Sequence, residues 1–178
     1  DYMVRDVAKF SASVIRSENN VFGWKYAVNR NGVAWHYAAS KGVGALPNGR
    51  KVGEPFYDGS LSPMRGMDKD GPSAVLNSAL KADYKEAAQS ILNQKFSLDM
   101  VQSSEALDKV AMLTETFLRS GGSHIQYNFL DKQVLLEAKK HPERYRDLIV
   151  RVAGYSAYFV NLTSEVQDDI ICRTEQGV

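Results

Sequence analysis

Near the end of the chain, Arg151-Val152-Ala153-Gly154-Tyr155-Ser156-Ala157 sets one glycine between two apolar runs, Leu148-Ile149-Val150 and Tyr158-Phe159-Val160. Glycine there gives up packing and gains φ freedom, so composition alone reads as a bend, a bulge or a close backbone approach. Other stretches raise specific chemistries and fail on their residues. Gly44-Ala45-Leu46-Pro47-Asn48-Gly49-Arg50-Lys51 has the outline of a phosphate cradle, but Arg50 stands where the lysine belongs and Val52 where a hydroxyl belongs. Pro47 removes an amide donor from that cradle. It also replaces the third glycine of the dinucleotide fingerprint that Gly42-Val43-Gly44 begins. His36, His124 and His141 lack metal-ligand spacing. Asn161-Leu162-Thr163 matches a glycosylation acceptor, yet nothing else looks secreted. Cys172 beside Ile170 and Ile171 reads as a buried or partly buried, inert thiol.

The elements that would position these groups follow from periodicity. Met3, Val4, Val7, Phe10, Val14 and Ile15 give residues 2–18 one apolar helical face. Gly32-Val33-Ala34-Trp35-His36-Tyr37 reads as a strand. Residues 42–72 hold four of the five prolines and turn signals at Pro47-Asn48-Gly49 and Asp70-Gly71-Pro72, a long loop of the kind that is functional or disordered. Helices are predicted near 73–81 and over 104–119, the second stopped by Gly121-Gly122. Ser123 to Leu130 alternates polar and apolar residues and predicts a strand. Asp131 caps a helix that ends before Pro142, and 148–152 is strand-like up to Gly154. Ser164 and Gln167 stand at capping-box spacing for a last helix carrying Val166, Ile170 and Ile171. Strands alternating with helices make the class α/β.

A chain of 178 residues suffices for one domain with a core. Its 44% hydrophobic and 24% charged residues are those of a globular protein, and a net charge of +1 gives no reason to invoke nucleic acid or a membrane surface. With no long apolar span, no signal-peptide pattern and one cysteine, a cytoplasmic location is expected. The first residue is Asp1 rather than Met, and the chain reads as a piece of something longer.

Arg-Val-Ala-Gly-Tyr at 151–155 resembles the signature of the glycyl radical enzymes, the superfamily of pyruvate formate-lyase. Consecutive blocks extend the resemblance in the same order from about residue 42 to the end. They include Asp58-Gly59-Ser60-Leu61-Ser62-Pro63-Met64-Arg65-Gly66, Gly71-Pro72-Ser73-Ala74-Val75-Leu76 and His124-Ile125-Gln126-Tyr127-Asn128. His141-Pro142-Glu143-Arg144-Tyr145-Arg146 and Gln167-Asp168-Asp169-Ile170-Ile171-Cys172-Arg173-Thr174 complete them. Ala153 and Ser156 look more like the dehydratase, decarboxylase and fumarate-adding branches than pyruvate formate-lyase.

The resemblance implies the C-terminal part of a ten-stranded α/β barrel of two five-stranded parallel halves, with a Gly loop and a Cys loop meeting inside. It divides the chain into a barrel part, 1–120, and a glycyl radical domain, 121–178. Gly154 would store a radical on its α-carbon, where the flanking amide and carbonyl delocalise the electron and a Cβ would crowd a flattened centre. Apolar neighbours would keep water and oxygen away. Arg151, Val152, Tyr155 and Ser156 would form the loop that an activating enzyme recognises. That activase would be a radical S-adenosylmethionine enzyme with a 4Fe-4S cluster; this chain would bind no cofactor. The thiyl-forming cysteine lies upstream in the family, so Cys172 does not fill its place and the chain would not turn over alone. Trp35, His36, Tyr37, Arg50, Arg65 and Gln126 would line the cavity of a small organic substrate, although core aromatics and loop-anchoring arginines explain several of them equally well. A homodimer is compatible with the resemblance. Two other functions remain open from the residues: a spare radical domain that repairs an oxygen-damaged enzyme, and a non-catalytic binding domain in which Gly154 only makes a turn.

Overall fold

The computed structural model describes residues 2–29, 35–64, 66–82, 90–173 and 175–176. The first helix, α1 (Tyr2–Ser17), forms where the amphipathic period predicts it. Its apolar stripe is left uncovered: Met3 is 80% and Phe10 71% exposed, and of the helix only Ala12 is buried. The strand expected over 32–37 is not found. Residues 32–34 lie outside the described residues, and Trp35–Ser40 is a short helix, α2. Its buried residues, His36 and Ser40, are four apart, the spacing of one helical face, and the two alanines between them favour that conformation.

Among the described residues no regular element interrupts the path from Ser40 to Pro72, where α3 (Pro72–Leu80) begins with proline at its first turn. The core of the fold is a parallel sheet in the order β2-β1-β5, built from β1 (Asn93–Phe96), β2 (Gln126–Phe129) and β5 (Glu175–Gln176). Helix α4 (Ser104–Arg119) makes the crossover from β1 to β2. Ser103 caps it by accepting from the Ala106 amide. It ends at Gly121, whose φ of 100° suits glycine, and Gly122 lies so close to Phe117 that a Cβ would stand 2.4 Å from the ring.

The register pairs Asn93 with Gln126, Lys95 with Asn128 and Phe96 with Phe129. Side chains alternate across a strand, so the sheet has an apolar face and a polar one. Helices α3 and α4 cover the apolar face. Val75, Leu76, Ala79, Leu92 and Phe117 cluster there with Ile125, and Phe96, Met100 and Val110 pack beside Tyr127 and Phe129. On the polar face Lys95, Gln126 and Asn128 are buried and Asn93 is half-buried.

What covers that face is the end of the chain. Asp131 caps α5 (Lys132–Lys140) by accepting from the Gln133 amide, as its position predicts. The hairpin β3 (Ile149–Arg151) and β4 (Ser156–Tyr158) follows, then α6 (Ser164–Cys172). Leu135 and Ala138 of α5, Val150, Val152 and Phe159, and Ile170 and Ile171 of α6 form their own apolar cluster. The capping box at α6 does not form. Thr163 is the N-cap, and the Gln167 amide instead donates to the Phe159 carbonyl at 2.9 Å. Cys172 is exposed rather than buried, because the apolar side of α6 is used by its neighbours Ile170 and Ile171. Among the described residues no helix is long and apolar enough to cross a membrane.

Candidate functional site

Gly154 lies in the four-residue turn Val152-Ala153-Gly154-Tyr155, closed by the Val152 amide donating to the Tyr155 carbonyl at 2.9 Å. Val152 and Ala153 are 2% and 0% exposed, whereas Gly154, Tyr155 and Ser156 are exposed. The apolar enclosure expected around Gly154 is therefore only half built by this chain: it shields the approach to the turn and leaves the tip open. The Arg151 guanidinium straps the turn from outside, donating to Ser156 Oγ at 3.0 Å.

The hairpin's other attachment is unusual. The Val152 amide donates to the Tyr155 carbonyl and the Phe159 amide to the Leu148 carbonyl, so Arg151, paired with Ser156, occupies a non-hydrogen-bonded position. Its own N–H and C=O consequently point away from β4. Asn128 meets both: its Oδ1 accepts from the Arg151 amide at 2.8 Å, and its Nδ2 donates to the Arg151 carbonyl at 2.8 Å. Two residues back along β2, Gln126 Nε2 donates to the Ala153 carbonyl. Stepping forward from 126 to 128 on β2 steps back from 153 to 151 on the hairpin. Two side-chain amides thus imitate an antiparallel neighbour strand, with the two-residue spacing that a strand's reach fixes at about 6.6 Å.

A chain of polar groups runs back from this seam. Gln126 Nε2 also donates to Asn93 Oδ1, and Asn93 Nδ2 donates to the Asp58 carboxylate. Arg173 lies 3.1 Å from Asp58 Oδ2 and 3.1 Å from Asp169 Oδ2, and it donates to the Arg151 carbonyl at 3.3 Å. His36 Nε2 stands 3.6 Å from Asp169 Oδ2, too long for a hydrogen bond but close enough for Coulombic attraction. Burial pushes the Asp169 carboxyl up; His36 and the Arg173 guanidinium outweigh it and hold the group at about 2. Beside the hairpin, burial lowers the His124 imidazole, and the charge of Arg151 lowers it further. Asp58 is placed by its own loop, in which the Ser60 and Leu61 amides donate to the Ile91 carbonyl at 3.1 and 3.0 Å. Ser60 and Ser62 hydroxyls accept from the amides of Ile91 and Asn93 at 2.9 and 3.0 Å.

A cavity of about 250 Å³ opens against Arg50, Asp58, Asn93, Asn128, Asp169 and Arg173. Of the residues expected around a substrate, Arg50 is in its wall, and Trp35, His36, Tyr37 and Gln126 are not; Arg65 lies outside the described residues. Arg50 is 4% exposed and spends its guanidinium on the carbonyls of Ser40, Val43 and Gly44, with Phe56 beneath it. It ties the loop down. Trp35 is 72% exposed; burial pushes the Tyr37 phenol up, and the acids of α6 push it further. Among the five described, only Gln126 has a hydrogen bond to the Gly154 turn. Sequence reasoning gave no role to Asp58, Asn93, Asn128, Asp169 or Arg173. Among the described residues no cluster of histidine, cysteine and acids could hold a metal ion.

A family model described as glycine radical matches residues 57–160, more than half of the chain and all of the seam and turn. The chain belongs to the glycine radical family. Similar proteins include trans-4-hydroxy-L-proline dehydratase of Clostridioides difficile, 40% identical over 99% of this chain and 22% of that protein. Indoleacetate decarboxylase of Tractidigestivibacter scatoligenes is 35% identical over 91% and 18%. The crystal structure of hydroxyproline dehydratase from Clostridioides difficile with substrate bound superposes with a TM-score of 0.91 over 98% of this chain and 22% of that one, at 40% identity. The glycerol-bound B12-independent glycerol dehydratase from Clostridium butyricum gives 0.91 over the same shares, at 38% identity. The chain thus spans about a fifth of these glycyl radical enzymes.

Proposed function

We propose that this chain is the radical-bearing, C-terminal part of a glycyl radical lyase, completing a ten-stranded barrel, with Gly154 as the storage site. The carrying observation is the glycine radical match over 57–160. Six glycines fall inside it, and structure accounts for five. Gly59, Gly66, Gly71 and Gly121 have the positive φ that favours glycine, and Gly122 is packed against Phe117. Gly154 is the remaining one, in the Arg151–Ser156 run that an activase would grip.

The activase, a radical S-adenosylmethionine enzyme with a 4Fe-4S cluster, removes one hydrogen atom from the Gly154 α-carbon. Gly154 keeps one hydrogen and an unpaired electron shared between its nitrogen and its carbonyl. The radical later regains a hydrogen atom from the thiol of a cysteine outside this chain, and that thiyl attacks a small organic substrate by dehydration, decarboxylation or fumarate addition. The open tip at Gly154 and the uncovered stripe of α1 support the reading that the remaining four-fifths of the enzyme, with its cysteine loop, packs here. This chain on its own does not turn over.

The experiment is anaerobic activation of the complete enzyme with activase and S-adenosylmethionine. A paramagnetic resonance doublet appears in the native protein and is absent in Gly154→Ala. A doublet that survives the substitution assigns the radical to another residue and refutes the proposal.

A further inference from the structure

The polar face of the sheet ends in one donor aimed at one peptide. Gln126, 7% exposed, gives its Nε2 to the carbonyl of Ala153, and the nitrogen of that same peptide bond belongs to Gly154. The orientation of the Gln126 amide is fixed by elimination. An ionised carboxylate only accepts, so Asn93 must turn its NH2 toward Asp58. Its oxygen then faces Gln126, which must answer with its own NH2. The same NH2 is the group that meets the Ala153 carbonyl. Arg173 sits on Asp58 at 3.1 Å and keeps the far end of the relay in place. Donation therefore runs outward from the Gln126 NH2, through Asn93 to the Asp58 carboxylate on one side and to the Ala153 carbonyl on the other. The Gln126 Oε1 has no hydrogen-bond partner among the described residues, a cost that the fold accepts while the donor end is held.

Resting on the assignment of Gly154 as the radical site, we infer that Gln126 is a positioning residue that sets the stability of the radical through the Ala153–Gly154 peptide, with Asp58 and Asn93 fixing which end of its amide does so. A radical on the Gly154 α-carbon draws on the nitrogen lone pair of that peptide. A hydrogen bond to the Ala153 carbonyl draws the same lone pair the other way, into the amide. Less of it reaches the α-carbon, and the centre holds its unpaired electron less tightly. The radical is stored in a form that can be handed on. Asn128 serves as the internal comparison. It holds the same strand by two bonds to Arg151 and touches neither amide flanking Gly154.

The test uses the complete enzyme, labelled with nitrogen-15 glycine and activated anaerobically. Gln126→Leu keeps the volume and loses the donor, and Asp58→Leu removes the acceptor that turns the Asn93 amide and so releases the relay. In both, the nitrogen-15 hyperfine coupling of the doublet rises. Quenching by an added small thiol, in which a hydrogen atom passes from sulfur to the α-carbon, slows by about fivefold, the worth of one neutral hydrogen bond. Asn128→Leu leaves the coupling at its native value. Couplings in Gln126→Leu and Asp58→Leu equal to the native value overturn the inference while leaving Gly154 as the radical site. An equal rise in Asn128→Leu also overturns it, because it makes the effect one of loop position. If both relay variants are folded by circular dichroism and hold no radical, Gln126 is needed to build the site and the electronic role is refuted. No radical in the native enzyme refutes the parent assignment instead.

Discussion

Asn128→Leu tests whether side chains, rather than strand pairing, hold the hairpin. Leucine matches asparagine closely enough in size that no large cavity follows, so the loss is polar. The Arg151 carbonyl keeps Arg173 Nη1 at 3.3 Å, but the Arg151 amide loses its acceptor, Asn128 Oδ1 at 2.8 Å. Its position in the hairpin points it away from β4, and no ladder partner replaces the loss. A partly buried amide left without a partner costs about 1–2 kcal/mol. The opening equilibrium of β3 therefore rises by on the order of tenfold.

Hydrogen exchange on the complete protein reads this directly. Peptides covering 148–158 exchange on the order of tenfold faster at Arg151, and those in α4, on the other face of the sheet, do not change. Gln126 accepts nothing from the hairpin, so Gln126→Leu leaves Arg151 exchange near its native rate. Unchanged protection at Arg151 in Asn128→Leu would refute the side-chain seam.

Three further outcomes follow from the surroundings of the site. Gly59 has a φ of +64°, and a Cβ there would lie 2.7 Å from the Ile91 carbonyl oxygen. Gly59→Ala is therefore expected to cost about 2–4 kcal/mol and lower the thermal midpoint; a midpoint within experimental error of the native one contradicts the packing. Arg50→Lys keeps the charge and cannot reach the carbonyls of Ser40, Val43 and Gly44 together, so limited proteolysis between 42 and 50 quickens; unchanged cleavage means the loop is held elsewhere. Asp169 is at about 2 folded against 3.8 unfolded, so the unfolded chain binds the proton first on acidification. Its stabilising contribution is full above about pH 4 and is lost as pH falls toward 2. Native and Asp169→Asn proteins should converge in thermal midpoint over that window, and a constant gap would deny the ion pairs to His36 and Arg173.

Much of the fold was legible because its signals are local. The caps at Asp131 and the stop at Gly121 lie in adjacent residues, and the alternation of 123–130 needs no partner to be seen. One reading failed and two features went unread for a common reason: burial is decided by segments distant in the chain. Trp35 and Tyr37 have strand-like side chains, but burial of His36 and Ser40 on one face favours a helix. Asn93-Gln94-Lys95-Phe96 carries no strand signal, yet it is the middle strand of the parallel sheet, since both its faces are covered and Asn93 finds partners in Asp58 and Gln126, distant in the chain. The polar half of the 123–130 alternation suggests a solvent face. In the fold that half, Gln126 and Asn128, is buried against the Gly154 turn. Polar residues two apart on a covered strand were the available clue to the site, and it is readable only once one knows that the face is covered.

The form of the seam bears on what the turn can do. A hairpin joined to the sheet by strand pairing would be bound along its length by a backbone ladder about 4.8 Å away, with packed side chains on either face. Here β3 belongs to a separate two-stranded sheet, and its link to β2 consists of three side-chain bonds at Ala153 and Arg151. The apolar anchors, Val150 and Val152, face α5 and α6 instead. Position and attachment are thereby divided between two sets of residues. The amides of β2 fix where the 151–154 backbone sits, and the cluster with α5 and α6 keeps the hairpin folded whether or not those amides are engaged. Each bond in the seam is worth about 1 kcal/mol, so breaking all three costs far less than unfolding the hairpin's core. A turn so held is registered against the sheet to within a hydrogen bond, and it can be disengaged without losing its own structure.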